Sequence, residues 1–198
     1  MIQVEGLPDL EWIVNGDATE VLPGGRLQIT AASGTDWTND AMGGAQQHRA
    51  ALGFVAPEAF ALSARVLVEE PRTTFDAGVL AIWGDADHWA KLCFERSPLG
   101  ESMVVSVVTN GWSDDCNSTV VEGPSVHLRL SRLDRRTWAF HSSGEGTRWD
   151  FVRLFRLEWD GPVHAGFLAQ APTGESCRAV FDDIRFVPQP PSDLRGGF

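Results

Sequence analysis

Between Phe75 and Glu95 the chain brings together side chains able to act jointly: the carboxylates of Asp76 and Glu95, the amine of Lys91, and the indoles of Trp83 and Trp89. Two carboxylates at one place can divide into acid and base, because each pushes the other's pKa upward. They can also act as paired acceptors for ligand hydroxyls without any tuning. Which residues meet depends on the local fold. Val79 to Trp83 is β-rich, Gly84-Asp85-Ala86-Asp87 has turn composition, and apolar alternation resumes at Trp89, which predicts a β-hairpin. With 84–87 as the loop, Trp83 pairs with His88, and counting back sets Asp76 directly opposite Glu95. Like charges facing across a ladder are normally destabilising, so the pair implies a ligand, a shared proton or plain solvation at a strand end. Along the second strand Ala90, Leu92 and Phe94 read as core, while Trp89, Lys91, Cys93 and Glu95 form the other, more polar face.

Other chemistries find less support. Cys93, Cys116 and Cys177 are odd in number and widely spaced, which argues against a disulfide framework or a structural zinc site and fits a reducing compartment. Asp85-Ala86-Asp87-His88 resembles the opening of a calcium loop but lacks the glycine and glutamate that complete one, so it reads as a turn. The five histidines, at 48, 88, 127, 141 and 164, show no metal-ligand spacing, and no GxSxG elbow surrounds Ser113. No cofactor or metal is called for.

The elements that would position these groups are strands. Apolar runs separated by turn residues recur at 26–31, 60–68, 103–109, 126–133, 137–142, 164–170 and 178–187, while 149–159 suits either a short helix or an edge strand. This spacing predicts an all-β sandwich or barrel. With 198 residues and 43% hydrophobic content, one domain over 1–187 is expected, followed by a flexible proline- and glycine-rich tail over 188–198. A net charge of −11 repels phosphate backbones and anionic lipid, so neither nucleic acid nor membrane is an expected partner. The first residues lack a signal-peptide pattern and no run reaches membrane-spanning length, which points to a cytoplasmic protein.

In the 164–170 run, Ala165, Phe167 and Ala169 read as core and His164, Gly166, Leu168 and Gln170 as the opposite face. Gly166 and Gly78 suggest a sheet surface with room on that second face for an oligosaccharide or small polar molecule. Eight tryptophans and no tyrosine suit stacking on a sugar ring; Trp37, Trp89 and Trp112, each amid polar neighbours, are the candidates.

In order along the chain, Thr35-Asp36-Trp37, Phe75-Asp76-Ala77-Gly78, His88-Trp89-Ala90-Lys91 with Phe94-Glu95, Val108-Thr109-Asn110-Gly111-Trp112-Ser113-Asp114, and Val180-Phe181-Asp182-Asp183 resemble the DUF1349, or regulation-of-enolase-like, family of the concanavalin A-like lectin/glucanase superfamily. The resemblance spans roughly residues 10–187. It implies a jelly-roll β-sandwich of two antiparallel sheets, with a polar signature at Asp36, Trp37, Asp76, Trp89, Lys91, Glu95, Ser113 and Asp114. Many relatives have an aromatic residue where this chain has Asp115, and Trp112 could compensate from the other side.

The expected function is non-catalytic binding of a carbohydrate-like or other small polar ligand on the concave face, with Lys91 and the carboxylates bonding hydroxyls and the 34–44 loop closing the rim. The alternatives are a glycan-active enzyme using Asp76 and Glu95 as acid and base, and a protein-interaction module that regulates metabolism. Catalysis is disfavoured because Trp89, Lys91, Cys93 and Glu95 stand where the superfamily's glucanases carry ExDxxE. A homodimer stays open. Alanine at Lys91 or Glu95 is expected to abolish ligand binding and shift the melting temperature by only a few degrees.

Overall fold

The structure, a computed structural model, describes residues 1–14 and 16–197. Its strands in chain order are β1 (Glu11–Val14), β2 (Ala18–Leu22), β3 (Arg26–Ala32), β4 (Trp37–Asn39), β5 (Gln46–His48), β6 (Ala51–Val55), β7 (Phe60–Val68) and β8 (Ala77–Asp85). There follow β9 (His88–Arg96), β10 (Ser102–Asn110), β11 (Trp112–Val120), β12 (Ser125–Arg132), β13 (Thr137–Ser143), β14 (Asp150–Arg156), β15 (His164–Gln170) and β16 (Ser176–Val187). Two antiparallel seven-stranded sheets result, ordered β1-β6-β15-β8-β9-β10-β11 and β14-β13-β12-β7-β16-β3-β2, with β4 and β5 as a separate two-stranded flap. Among the described residues no helix is long and apolar enough to cross a membrane.

Strict alternation builds the sandwich, since every second side chain of a strand faces the same way. Leu80, Ile82, Ala90, Leu92, Phe94, Ala165, Phe167 and Ala169 from the first sheet meet Leu62, Ala64, Val66, Leu128, Leu130, Phe140, Ala179 and Phe181 from the second. Phe167 packs on Phe181 with ring centroids 5.1 Å apart. Burying each of these phenylalanines contributes about 1.5–3 kcal/mol. The 149–159 stretch resolves as the edge strand β14, paired with β13.

The hairpin register differs from the sequence expectation by one residue. Trp83 pairs with Trp89 and Ala77 with Glu95, because a bulge at Gly84 sets Gly84 and Asp85 against His88. A side chain at Gly84 would run into the Trp159 ring, at 2.7 Å, so the bulge occurs where another segment crosses closely. Asp76 therefore falls just before the strand and does not oppose Glu95. Gly78 is also displaced from its expected face: a Cβ there would meet Val66 at 2.5 Å, on the second sheet, so this glycine permits close packing of the two layers. Gly166 likewise lies against the Leu52 carbonyl of β6, which a Cβ there would strike. Neither glycine opens a ligand surface.

Residues 188–197 lie along the outer face of the second sheet. His141 Nε2 is 2.7 Å from the Leu194 carbonyl oxygen, Arg129 Nη2 donates to the Gly197 carbonyl at 3.0 Å, and the Arg195 guanidinium sits 5.0 Å from the Phe151 ring centroid. Phe198, the end of the expected tail, lies outside the described residues.

Candidate functional site

On the face of the first sheet away from the core, cross-strand neighbours form rows. Across β15, β8, β9, β10 and β11 one row reads Gly166, Ala81, Lys91, Val107, Asp115, and the next Leu168, Val79, Cys93, Val105, Asn117. A third reads Gln170, Ala77, Glu95, Met103. The long polar side chains thus stand beside alanines and valines, which leave space above the sheet. A cavity of about 260 Å³ fills it, lined by Asp36, Trp37, Thr38, Phe75, Lys91, Glu95, Val105, Val107, Asp115, Asn117 and Gln170.

Lys91 is the buried centre of this basin, 5% exposed. Its ammonium donates to Asp36 Oδ1 at 2.8 Å, to the Trp37 carbonyl at 2.7 Å and to Gln170 Oε1 at 3.1 Å, so all three protons are spent inside the protein. Gln170 passes the polarity on, its Nε2 donating to Glu95 Oε2 at 3.2 Å and to the Phe75 carbonyl at 2.9 Å. Burial by itself would lower the Lys91 pKa; the surrounding acidic groups, led by the Asp36 carboxylate, overcome it and raise the value. Lys91 is therefore a fixed cation.

Glu95 experiences the opposite balance. Burial disfavours its charge, the attraction of Lys91 only partly offsets this, and repulsion by Asp36 and Asp115 adds to it, so the pKa is pushed up to about 7. Asp115 is raised as well, by desolvation first and then by Asp36, Asp114 and Asp40, against the pull of Lys91. Cys93 lies under the basin, and burial pushes its thiol well above the ordinary range, which makes it an inert packing residue.

The flap covers the other half of this face. Trp37 packs on Trp83 and Trp89 with ring centroids 4.9 and 5.7 Å away, and its indole donates to the Arg49 carbonyl at 3.0 Å. Asn39 pins the flap to both neighbouring turns, donating to the Ala86 and Gly111 carbonyls at 3.0 and 2.9 Å, while its backbone N–H donates to Ser113 Oγ at 2.9 Å.

Five expected ligand contacts, Asp76, Trp89, Trp112, Ser113 and Asp114, are corrected by these placements. The Asp76 carboxylate is 1% exposed and accepts from the Thr73 N–H at 2.8 Å and the Thr73 hydroxyl at 2.9 Å, closing a turn ahead of β8. Trp89 is wholly buried and presents no ring face to a ligand; Trp37 borders the cavity but is wholly buried too, its ring packed on Trp83 and Trp89. Ser113 is consumed in holding Asn39. Asp114 faces away, in an ion pair with Arg153 at 2.8 Å. Trp112 is 55% exposed but lies in a separate groove with His88, Asp87 and Glu158. The structure brings together Asp36, Trp37, Lys91 and Glu95, and adds Gln170, Asp115, Asn117, Thr38 and Phe75. Alternation already places Gln170 on this face, and Asp115 stands two residues after Ser113 on the same side of β11; nothing in the sequence singles out Thr38. Among the described residues no group of three histidine, cysteine or acidic side chains could hold a metal ion.

Two antiparallel seven-stranded sheets, with a polar basin on the outer face of one, define a concanavalin-like jelly-roll β-sandwich. The chain belongs to the DUF1349 family, a family of proteins of unknown function whose model matches residues 12–189. It is similar to a functionally unknown protein from Saccharomyces cerevisiae, with 22% identity, a TM-score of 0.79, and coverage of 90% of this chain and 96% of that one. It is also similar to a GH43 protein from Bacillus licheniformis, at 13% identity and TM-score 0.72, where it covers 91% of this chain and 37% of the other. An alginate lyase from Pseudomonas aeruginosa matches at 14% identity and TM-score 0.58, over 88% and 87% of the two chains. No curated protein matches the chain in sequence. At these identities the structural likenesses establish the fold, which is shared with glycan-active enzymes.

Proposed function

We propose that the protein binds a carbohydrate-like or other small polyhydroxylated ligand in the basin above Lys91, without catalysis. The supporting observation is a cavity whose open atoms are mostly acceptors beside an aromatic rim: Glu95 Oε1, Asp36 Oδ2 and the Asp115 carboxylate have no partner among the described residues, and Phe75 lies at the edge, 39% exposed. Carboxylates accept hydroxyl protons strongly in a partly desolvated cleft, and a ring face can pack on a pyranose. Lys91 acts by positioning Asp36 and Gln170. Three free cysteines, two of them buried, fit a reducing, cytoplasmic setting. The test is a thermal-shift and calorimetric screen of mono- and oligosaccharides on the protein and on Asp115→Ala, an exposed position whose loss leaves the core intact. Stabilisation by a sugar that the variant loses supports the reading; a hit unaffected by the substitution places binding elsewhere.

A second reading rests on Glu95. A carboxyl group with a pKa near 7 is poised for proton transfer at neutral pH, and Asp115, rather than Asp76, would be its partner. Release of chromophore from aryl glycosides, lost in Glu95→Gln, would establish catalysis.

A further inference from the structure

We infer that the ligand of this basin carries a protonated amine, as an amino sugar does; the inference rests on the basin being a small-ligand site. The donors and acceptors left after the internal bonds are counted decide the matter. Lys91 has spent its three protons and Gln170 both of its amide protons. Among the lining residues, Glu95 Oε1, Asp36 Oδ2 and both oxygens of Asp115 are acceptors with no hydrogen-bond partner among the described residues, and the Thr38 hydroxyl and the Asn117 amide are the donors that remain. A ligand rich in donors completes this set. A sugar acid or sugar phosphate would set acceptors against acceptors.

Charge leads to the same class. The Lys91–Asp36 pair, at 2.8 Å, is self-contained. Arg72, which also bears on Glu95, spends Nη1 on Ser102 and Nη2 on the Asp76 and Phe94 carbonyls, behind the basin. Glu95 and Asp115 feel Lys91 at a distance, and Glu95 also Arg72, but neither carboxylate has an ion-pair partner among the described residues. Glu95 is not a solvated rim charge: it is nine-tenths buried, lines the cavity, and has one carboxylate oxygen, Oε1, without a hydrogen-bond partner among the described residues. A ligand ammonium near these two carboxylates supplies a counter-charge, and the burial of Glu95 makes its share of the attraction stronger than at an open surface.

Three matched pyranoses test this by calorimetric titration at pH 7.4, above the Glu95 pKa of about 7, and at low ionic strength: glucosamine, glucose and glucuronate. Glucosamine is expected to bind at least about tenfold tighter than glucose, with glucuronate weakest, and the gap should narrow as salt is added. Glucose binding as tightly as glucosamine, or any preference for glucuronate, overturns the amine while leaving the basin as a sugar site. Binding of none of the three, across the wider sugar screen as well, overturns both readings. Asp115→Asn keeps shape and removes charge, so it should shrink the glucosamine–glucose gap to below about threefold; a gap that survives both this variant and Glu95→Gln overturns the charge argument even if glucosamine binds.

Discussion

Lys91 and Asp36 form an ion pair of 2.8 Å whose side chains are only 6% and 19% exposed, joining the middle of the first sheet to the segment that enters the flap. The same ammonium holds the Trp37 carbonyl and Gln170, so one residue fixes three walls of the basin.

Lys91→Met therefore should not be the mild change that a solvated strand residue would allow. It leaves Asp36, Gln170 Oε1 and the Trp37 carbonyl without their donor, and breaking a buried pair by removing one partner typically costs about 3–5 kcal/mol. Urea denaturation of the purified variant is expected to show a loss in that range. A loss below about 1 kcal/mol would mean that water replaces the ammonium at no cost.

Glu95→Gln is expected to change stability in a pH-dependent way. With a folded pKa of about 7 against an ordinary value of 4.5, the native state binds the proton more tightly than the unfolded chain. The penalty for ionising Glu95 is absent below about pH 4.5, grows between the two values and is complete above 7. Glutamine keeps an acceptor for Gln170 but carries no charge. The variant should match the parent at about pH 4 and exceed it at pH 8 by up to about 3 kcal/mol. Equal differences at both pH values would show that Glu95 is not buried as described.

The strands of the core were legible in the sequence because their alternation is strict: 60–68 and 164–170 appear with those bounds, as β7 and β15. β11 was not, since Trp112 to Val120 is an exposed edge with no apolar period, and the two-stranded flap is too short to leave one. The face carrying Trp89, Lys91, Cys93 and Glu95 was readable, but what crosses above it was not. Burial of Trp37 and Trp89 is set by the flap, a contact between residues about fifty apart. The misplacement of Asp76 has a single cause. Side-chain period in a strand is two, so the one-residue bulge at Gly84 changes every cross-strand partner beyond it.

Asp76→Ala separates structure from binding. Its carboxylate is buried and satisfies two donors of Thr73, so removal should cost about 1–3 kcal/mol. Affinity for any ligand of the basin, measured well below the variant's melting temperature, should stay within about twofold, because this carboxylate does not line the cavity. A selective loss of binding with stability intact would restore Asp76 to the site.

Phe75 and Trp112 offer opposite tests of where aromatic stacking occurs. Trp112 is more exposed, yet it stands outside the basin, so Trp112→Ala should shift stability by no more than about 0.5 kcal/mol and leave sugar binding unchanged. Phe75 lines the cavity with a backbone φ of 69°, a left-handed conformation that side chains other than glycine adopt at a cost. Phe75→Ala and Phe75→Gly both remove the ring and should weaken ligand binding to the same degree. They differ in the backbone: glycine accepts this φ freely, so Phe75→Gly should be more stable than Phe75→Ala by about 1 kcal/mol, the reverse of the usual order at ordinary φ. Thermal melts of the two variants read that difference directly. If alanine proves the more stable, the turn has relaxed out of the left-handed region, and the Phe75 carbonyl no longer holds Gln170 against Glu95.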